Sequence, residues 1–153
     1  MRITQALLGE HGAMYPLLDL IEKTAPAAGL PELKLRAAFL HSTLSTHAAI
    51  EDAVLRPLIQ RYLPQPPPAA DGEVPATDHQ VIDAGLARVL AAGTVEEARG
   101  ALLDTVAKTC RHFEKEETLI FGIAERELSA EVQERLGAEW AARRGVYLGA
   151  AHA

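Results

Sequence analysis

The chain has 153 residues, of which 48% are hydrophobic but only 5% aromatic, and a formal charge of −6. That length suits one domain with a buried core, and an aromatic-poor mix rich in Ala and Leu favours packed helices over a sheet sandwich. The acidic balance argues against a nucleic-acid partner, the lack of any long apolar run argues against a membrane span, and the single cysteine, Cys110, rules out an internal disulfide and multi-cysteine metal frameworks.

Residues 1–8 are too short and soon too polar for a secretory signal, so a cytoplasmic protein is expected. Met14, Leu17, Leu18 and Ile21 recur at helical spacing and predict a first helix from about Gln5 or Glu10 to Thr24. Pro16 lies inside it and predicts a kink or a late start. Pro31 suits the opening turn of a long second helix to about Tyr62, with Leu33, Ala37, Leu40, Leu44, His47, Glu51, Leu55 and Leu58 on one face. Residues 63–75 are Pro-rich and read as an extended surface crossing. Thr77 or Asp78 caps a third helix through Leu90, with Ile82, Leu86, Val89 and Leu90 inward. Thr94 and Glu97 form a capping box for a long fourth helix to about Leu128. Ser129 caps a short fifth helix, Ala130 to about Arg144, and the tail beyond it frays.

Short, long, short, long helices predict an all-α, up-down four-helix bundle over about 5–128, with a short additional C-terminal helix over about 130–144, in a single domain spanning 1–153. The chemistry lies in a repeat within this plan. His47 and Glu51 stand four residues apart, as do His112 and Glu116. In a helix that spacing is about 40° of rotation and about 6 Å of rise, so each imidazole and its carboxylate point the same way. Each short helix carries one histidine on its apolar face, His11 and His79. The gap from His11 to His47 is 36 residues, and from His79 to His112 it is 33. The chain therefore uses one helical hairpin twice. Imidazole suits iron, zinc, copper and manganese, and carboxylates can bridge two cations. Four histidines and two glutamates give each of two metals two nitrogens and two oxygens.

The pattern His11, His47-x-x-x-Glu51, His79, His112-x-x-x-Glu116 resembles the hemerythrin-like, His-His-Glu cation-binding family over about residues 5–128. The resemblance implies two non-haem iron ions bridged by both glutamates and by an oxo or hydroxo group. It also implies that His11 and His47 serve one iron, and His79 and His112 the other. Oxygen-carrying hemerythrins place a further histidine where this chain has Asp83, which argues against reversible oxygen carriage. They place the last carboxylate five residues after its histidine, here Glu117. Glu116 is preferred because it matches Glu51 in the repeat, whereas the fifth residue lies about 140° round the helix.

Other residues carry weaker signals. Asp52 and Glu117 read as surface acids or as supports for the ligands. Asp83 reads as an added ligand, a hydrogen-bond partner of an imidazole, or an exposed acid. Tyr15, one turn after His11, reads as core ahead of ligand or relay. His41 is expected at the surface, His152 in the tail, and Cys110 as a packed thiol facing away from the metal side. Two functions are open: a protein that binds or senses oxygen, nitric oxide or iron, and a redox enzyme acting on peroxide or nitric oxide. A structural zinc or manganese site is a third reading. No signalling or DNA-binding segment accompanies the motif, so any signal is expected to pass through a separate partner.

Overall fold

A computed structural model describes residues 1–63 and 76–147. The described residues form helices and their connections, with no strand among them. The helices are α1 (Ile3–Thr24), α2 (Leu30–Ile50), α3 (Asp78–Ala91), α4 (Val95–Lys115) and α5 (Ala130–Arg144). Most of the Pro-rich crossing and the last six residues, with His152, lie outside the described residues.

The helix starts are set by local chemistry. Thr77 Oγ1 accepts from the Gln80 amide at 3.2 Å while Gln80 Oε1 accepts from the Thr77 amide at 2.9 Å. Thr94 and Glu97 make the same reciprocal pair, each bond 3.2 Å, and Ser129 Oγ accepts from the Val132 amide. Each cap satisfies a donor that the first helical turn leaves free, worth about 1 kcal/mol. At the far end of α5, Gly145 takes φ +64°, a left-handed conformation that glycine adopts without strain.

The first helix departs from expectation: it starts at Ile3 and runs through Pro16, which lies on the exposed face. The early start reflects Ile3 and Leu7, which extend the buried stripe of Met14, Leu18 and Ile21 toward the N-terminus. The long helices also depart from expectation. Each passes into a π-helical turn that begins at a predicted glutamate, Glu51–Leu55 after α2 and Glu116–Ile120 after α4. There the Arg56 amide donates to the Glu51 carbonyl and the Phe121 amide to the Glu116 carbonyl, five residues back. Helical segments Arg56–Ile59 and Phe121–Glu127 continue from these turns. A π turn takes in more residues than an α turn, so it rotates the helical segment beyond it. Ile59 is buried and Leu58 is 37% exposed, against the expectation that Leu58 faces inward. Leu90, also expected inward, is 40% exposed at the end of α3.

Helix α3 packs on α2 and α4, α1 packs on α4 and α5, and α2 packs on α4. Gly85 permits the α3–α4 approach, since a Cβ there would lie 2.2 Å from Thr105 Oγ1. The core divides into two apolar clusters. Leu18, Leu33, Leu40, Leu86, Leu102 and Phe113 belong to one; Ile3, Leu7, Leu55, Ile59, Phe121 and Leu136 belong to the other. His11 on α1, His47 on α2, His112 on α4 and Glu116 just beyond α4 lie where one cluster gives way to the other. A polar layer therefore separates two dry ones. Among the described residues, no helix is long and apolar enough to cross a membrane.

Candidate metal centre

The six residues singled out in the sequence converge in that layer as two groups. His11, His47 and Glu116 form one; Glu51, His79, His112 and Glu116 form the other, and within each group the facing atoms all lie within 4.8 Å of one another. Glu116 belongs to both, while Glu51 belongs to the second. In the first group His11 Nε2 lies 3.2 Å from His47 Nε2 and 3.3 Å from Glu116 Oε2. In the second, Glu116 Oε1 lies 3.0 Å from His112 Nε2 and 3.7 Å from His79 Nε2, and Glu51 Oε2 lies 3.5 Å from His79 Nε2. His11, Glu51 and Glu116 are fully buried.

The outward nitrogens share another pattern: each faces a carboxylate. Glu117 Oε1 lies 3.0 Å from His11 Nδ1, and Glu10 Oε2 lies 2.6 Å from His47 Nδ1. Asp52 Oδ2 lies 3.3 Å from His79 Nδ1, and Asp78 Oδ2 lies 3.6 Å from His112 Nδ1. An ionised carboxylate only accepts, so an Nδ1 that bonds one carries a proton, and a neutral imidazole held this way turns its Nε2 lone pair to the centre. Acids placed this way orient metal-binding imidazoles and raise their basicity. These acids are held in turn. Trp140 Nε1 and Arg144 Nε donate to Glu10 Oε1 at 2.9 and 2.6 Å, the Tyr15 hydroxyl to Glu117 Oε1 at 3.1 Å, and Lys115 Nζ to Asp78 at 2.6 Å, while the Arg56 guanidinium forms an ion pair with Asp52, Nε to Oδ1 2.7 Å.

Aromatic packing walls off the first group. The buried Phe113 stacks on the His11 ring with centroids 3.9 Å apart and meets His47 edge-on. Beside His47, His79 and His112 is a cavity of about 10 Å³, roughly the room one water occupies.

The electrostatics are those of charge confined without enough neutralisation. Burial pushes the Glu51 carboxyl up, aided by neighbouring Glu116. Burial acts the same way on Glu116, but the His11, His112 and His79 imidazoles facing its oxygens outweigh it and hold Glu116 below the usual carboxylate range. His79 is opposed by burial yet raised to about 10 by Glu116, Glu51 and Asp52, so in the metal-free chain an imidazolium proton neutralises part of the pair. Even so, Glu51 Oε2, both Glu116 oxygens, His79 Nε2 and both His112 nitrogens are buried without a well-formed hydrogen bond among the described residues. A buried polar atom left unpaired costs about 1–3 kcal/mol, more when charged. Nitrogen and oxygen donors converging in this way fit a cation of borderline hardness, and these groups could hold metal ions.

Glu10 makes this balance testable. Burial alone would raise its pKa, but His47, Arg144 and Trp140 draw it down from 4.5 to about 2. A group depressed on folding stabilises the fold above its unfolded pKa and loses that contribution as pH falls through its folded one. The metal-free chain is therefore expected to lose about 2 kcal/mol from this group between pH 5 and pH 3. Urea melts at both pH values should show that loss, and Glu10→Gln should lack it.

The structure also places the residues on the margin of the motif. Asp83 lies 3.8 Å from His41, both about half exposed, and is in neither group. Tyr15 is partly buried against the core, edge-on to Phe113, and touches the centre through Glu117. Cys110 is a partly buried thiol packed on the apolar cluster. Sequence reasoning passed over Glu10, Trp140, Arg144, Arg56 and Lys115, and read Asp78 only as a cap. A signal was present: an acid precedes each lone histidine, in Glu10-His11 and Asp78-His79, and an acid comes directly after each paired glutamate, in Glu51-Asp52 and Glu116-Glu117. The repeat extends to Pro57 and Gly122, both poor helix residues six positions after those glutamates. No family model, curated protein or solved structure matches the chain.

Proposed function

We propose that this chain is a hemerythrin-like protein of the cytoplasm: an up-down four-helix bundle, with α5 added outside it, that holds two non-haem irons and binds or senses oxygen, nitric oxide or iron. The observation that carries this reading is the pair of His/Glu groups sharing the fully buried Glu116, with every histidine backed by an acid on its outer nitrogen. His11 and His47 would hold one iron, His79, His112 and Glu51 the other, and Glu116 would join them. Bound there, a pair of irons would supply open coordination positions and one-electron redox chemistry. The chain's own part is to present four neutral imidazoles by their Nε2 atoms, to exclude bulk water with Phe113, and to leave room beside His47, His79 and His112 for something of about one water's size. That room favours a diatomic ligand over a larger substrate.

The test is metal analysis with an optical spectrum, taken under argon after reconstitution with ferrous iron and again after oxygen exposure. Two irons per chain, with the charge-transfer bands of a bridged pair after oxidation, are expected. A chain that stays metal-free under those conditions, or that takes up only zinc or manganese, defeats the reading. Assays of peroxide and nitric oxide consumption separate a sensor from an enzyme: binding without turnover is expected, and sustained consumption would make the protein a redox enzyme.

A further inference from the structure

We propose that α5 is a positioning element for the His11/His47 half of the centre, acting through Glu10, and that it makes the two halves unequal. The inference rests on the metal-binding reading above. Helix α5 contributes no candidate ligand, yet Trp140 and Arg144, one turn apart and so on one face, both reach Glu10 on α1. Glu10 is only 14% exposed. One of its oxygens takes the indole and guanidinium protons and the other takes His47 Nδ1–H. Each donor removes a direction in which the carboxylate could turn, and the carboxylate in turn fixes the tautomer and tilt of His47. The position of α5 therefore reaches the centre through two successive hydrogen bonds.

The equivalent acid in the other half is built differently. Asp78 is 46% exposed, is held by Lys115 at 2.6 Å, and lies 3.6 Å from His112 Nδ1, beyond a good hydrogen bond. One half is clamped from a separate helix, the other by an exposed ion pair. The clamp is itself firmly seated. Gln133, Leu136 and Ala141 are buried, the Gln133 amide donates to the Ala124 and Leu128 carbonyls, and a Cβ at Gly137 would lie 2.2 Å from the Met1 carbonyl oxygen. Helix α5 thus sits against the start of α1, and a shift of either would move Glu10. By linkage, metal bound at His11 and His47 must also tighten α5 on the bundle.

Trp140 is the only tryptophan in the chain, so its fluorescence reports on this half directly. The experiment is an anaerobic titration with Co²⁺ against a competing chelator, monitoring the cobalt absorption bands and Trp140 emission together. In the wild-type chain two binding steps are expected, with the emission change confined to one. Arg144→Met should weaken that step about 10–100-fold and leave the other within about twofold, as loss of an orienting partner does. Arg144→Lys should recover part of the loss, because it restores a cationic donor. Trp140→Phe, which keeps the apolar bulk and removes the N–H, should weaken the same step by absorption alone. Arg143→Met, which removes a neighbouring surface pair with Glu139, should change neither step. Equal weakening of both steps would mean general loosening of the fold and would overturn the inference, as would unchanged binding in Arg144→Met and Trp140→Phe. A wild-type chain that binds no metal removes the underlying reading as well; two ions bound equally well by wild type and variants remove the positioning role alone.

Discussion

Glu116→Ala is expected to abolish metal binding in both groups, whereas Glu117→Ala should keep both ions with affinity lowered about 10–100-fold at one. The asymmetry comes from where the two carboxylates point. Glu116 is fully buried, and its two oxygens face His11 on one side and His112 and His79 on the other. Its removal takes a ligand from each group at once. Glu117, one residue on, is about a quarter exposed and reaches the outer nitrogen of His11. Its removal frees the tautomer of one imidazole and leaves the inner donors in place. Equilibrium dialysis with metal analysis of each variant decides the matter. Retention of metal by Glu116→Ala, with loss in Glu117→Ala, would show that the register of the second motif is shifted by one residue.

The second large effect concerns stability and changes sign with metal. Two carboxylates buried beside one another cost several kcal/mol each before any cation compensates. Saturating metal at about 1,000 times its Kd should stabilise the wild-type chain by about 4 kcal/mol for each ion bound, or roughly 8–16 °C in Tm per ion for a chain of this size. Glu51→Met replaces one of the pair with an apolar side chain of similar volume, and such replacements of buried charge are often neutral or stabilising by about 1–4 kcal/mol. The metal-free variant should therefore melt above metal-free wild type, while the metal-loaded variant should melt below loaded wild type. Calorimetry of all four samples tests the crossing. A Glu51→Met chain that is less stable without metal would mean that Glu51 serves the fold through Arg56 and His79 rather than the centre.

Much of the molecule is legible in its amino-acid sequence. Thr77, Thr94 and Ser129 announce helix starts because a side-chain oxygen at the cap, bonded to an amide three residues on, is a local device complete within one turn. The His-x-x-x-Glu pairs are local in the same sense, since four residues of helix bring two side chains onto one face. The π turns were not read, although Pro57 and Gly122 mark them at one offset, because the choice between α and π spacing depends on what Glu51 and Glu116 meet inside the protein. Leu58 was misplaced for that reason. Leu90 was misplaced because apolar spacing continues to the end of a helix whether or not a neighbour covers its last turn.

The amino-acid sequence by itself determined that the chain is helical, where most helices begin, and which four histidines and two glutamates face inward. Only the tertiary structure decided that Glu116 belongs to both groups, that Asp83 belongs to neither, and that Glu10, Asp52, Asp78 and Glu117 back the four imidazoles. The physical reason is distance along the chain. The contact of His11 with Glu117 spans 106 residues and that of Trp140 with Glu10 spans 130. Whether such atoms meet depends on how each helix is rotated and how deeply it is set against its neighbours. Those quantities come from packing all the apolar faces together, with Phe113, Gly85 and Gly137 deciding how closely the helices approach, and no local pattern contains them.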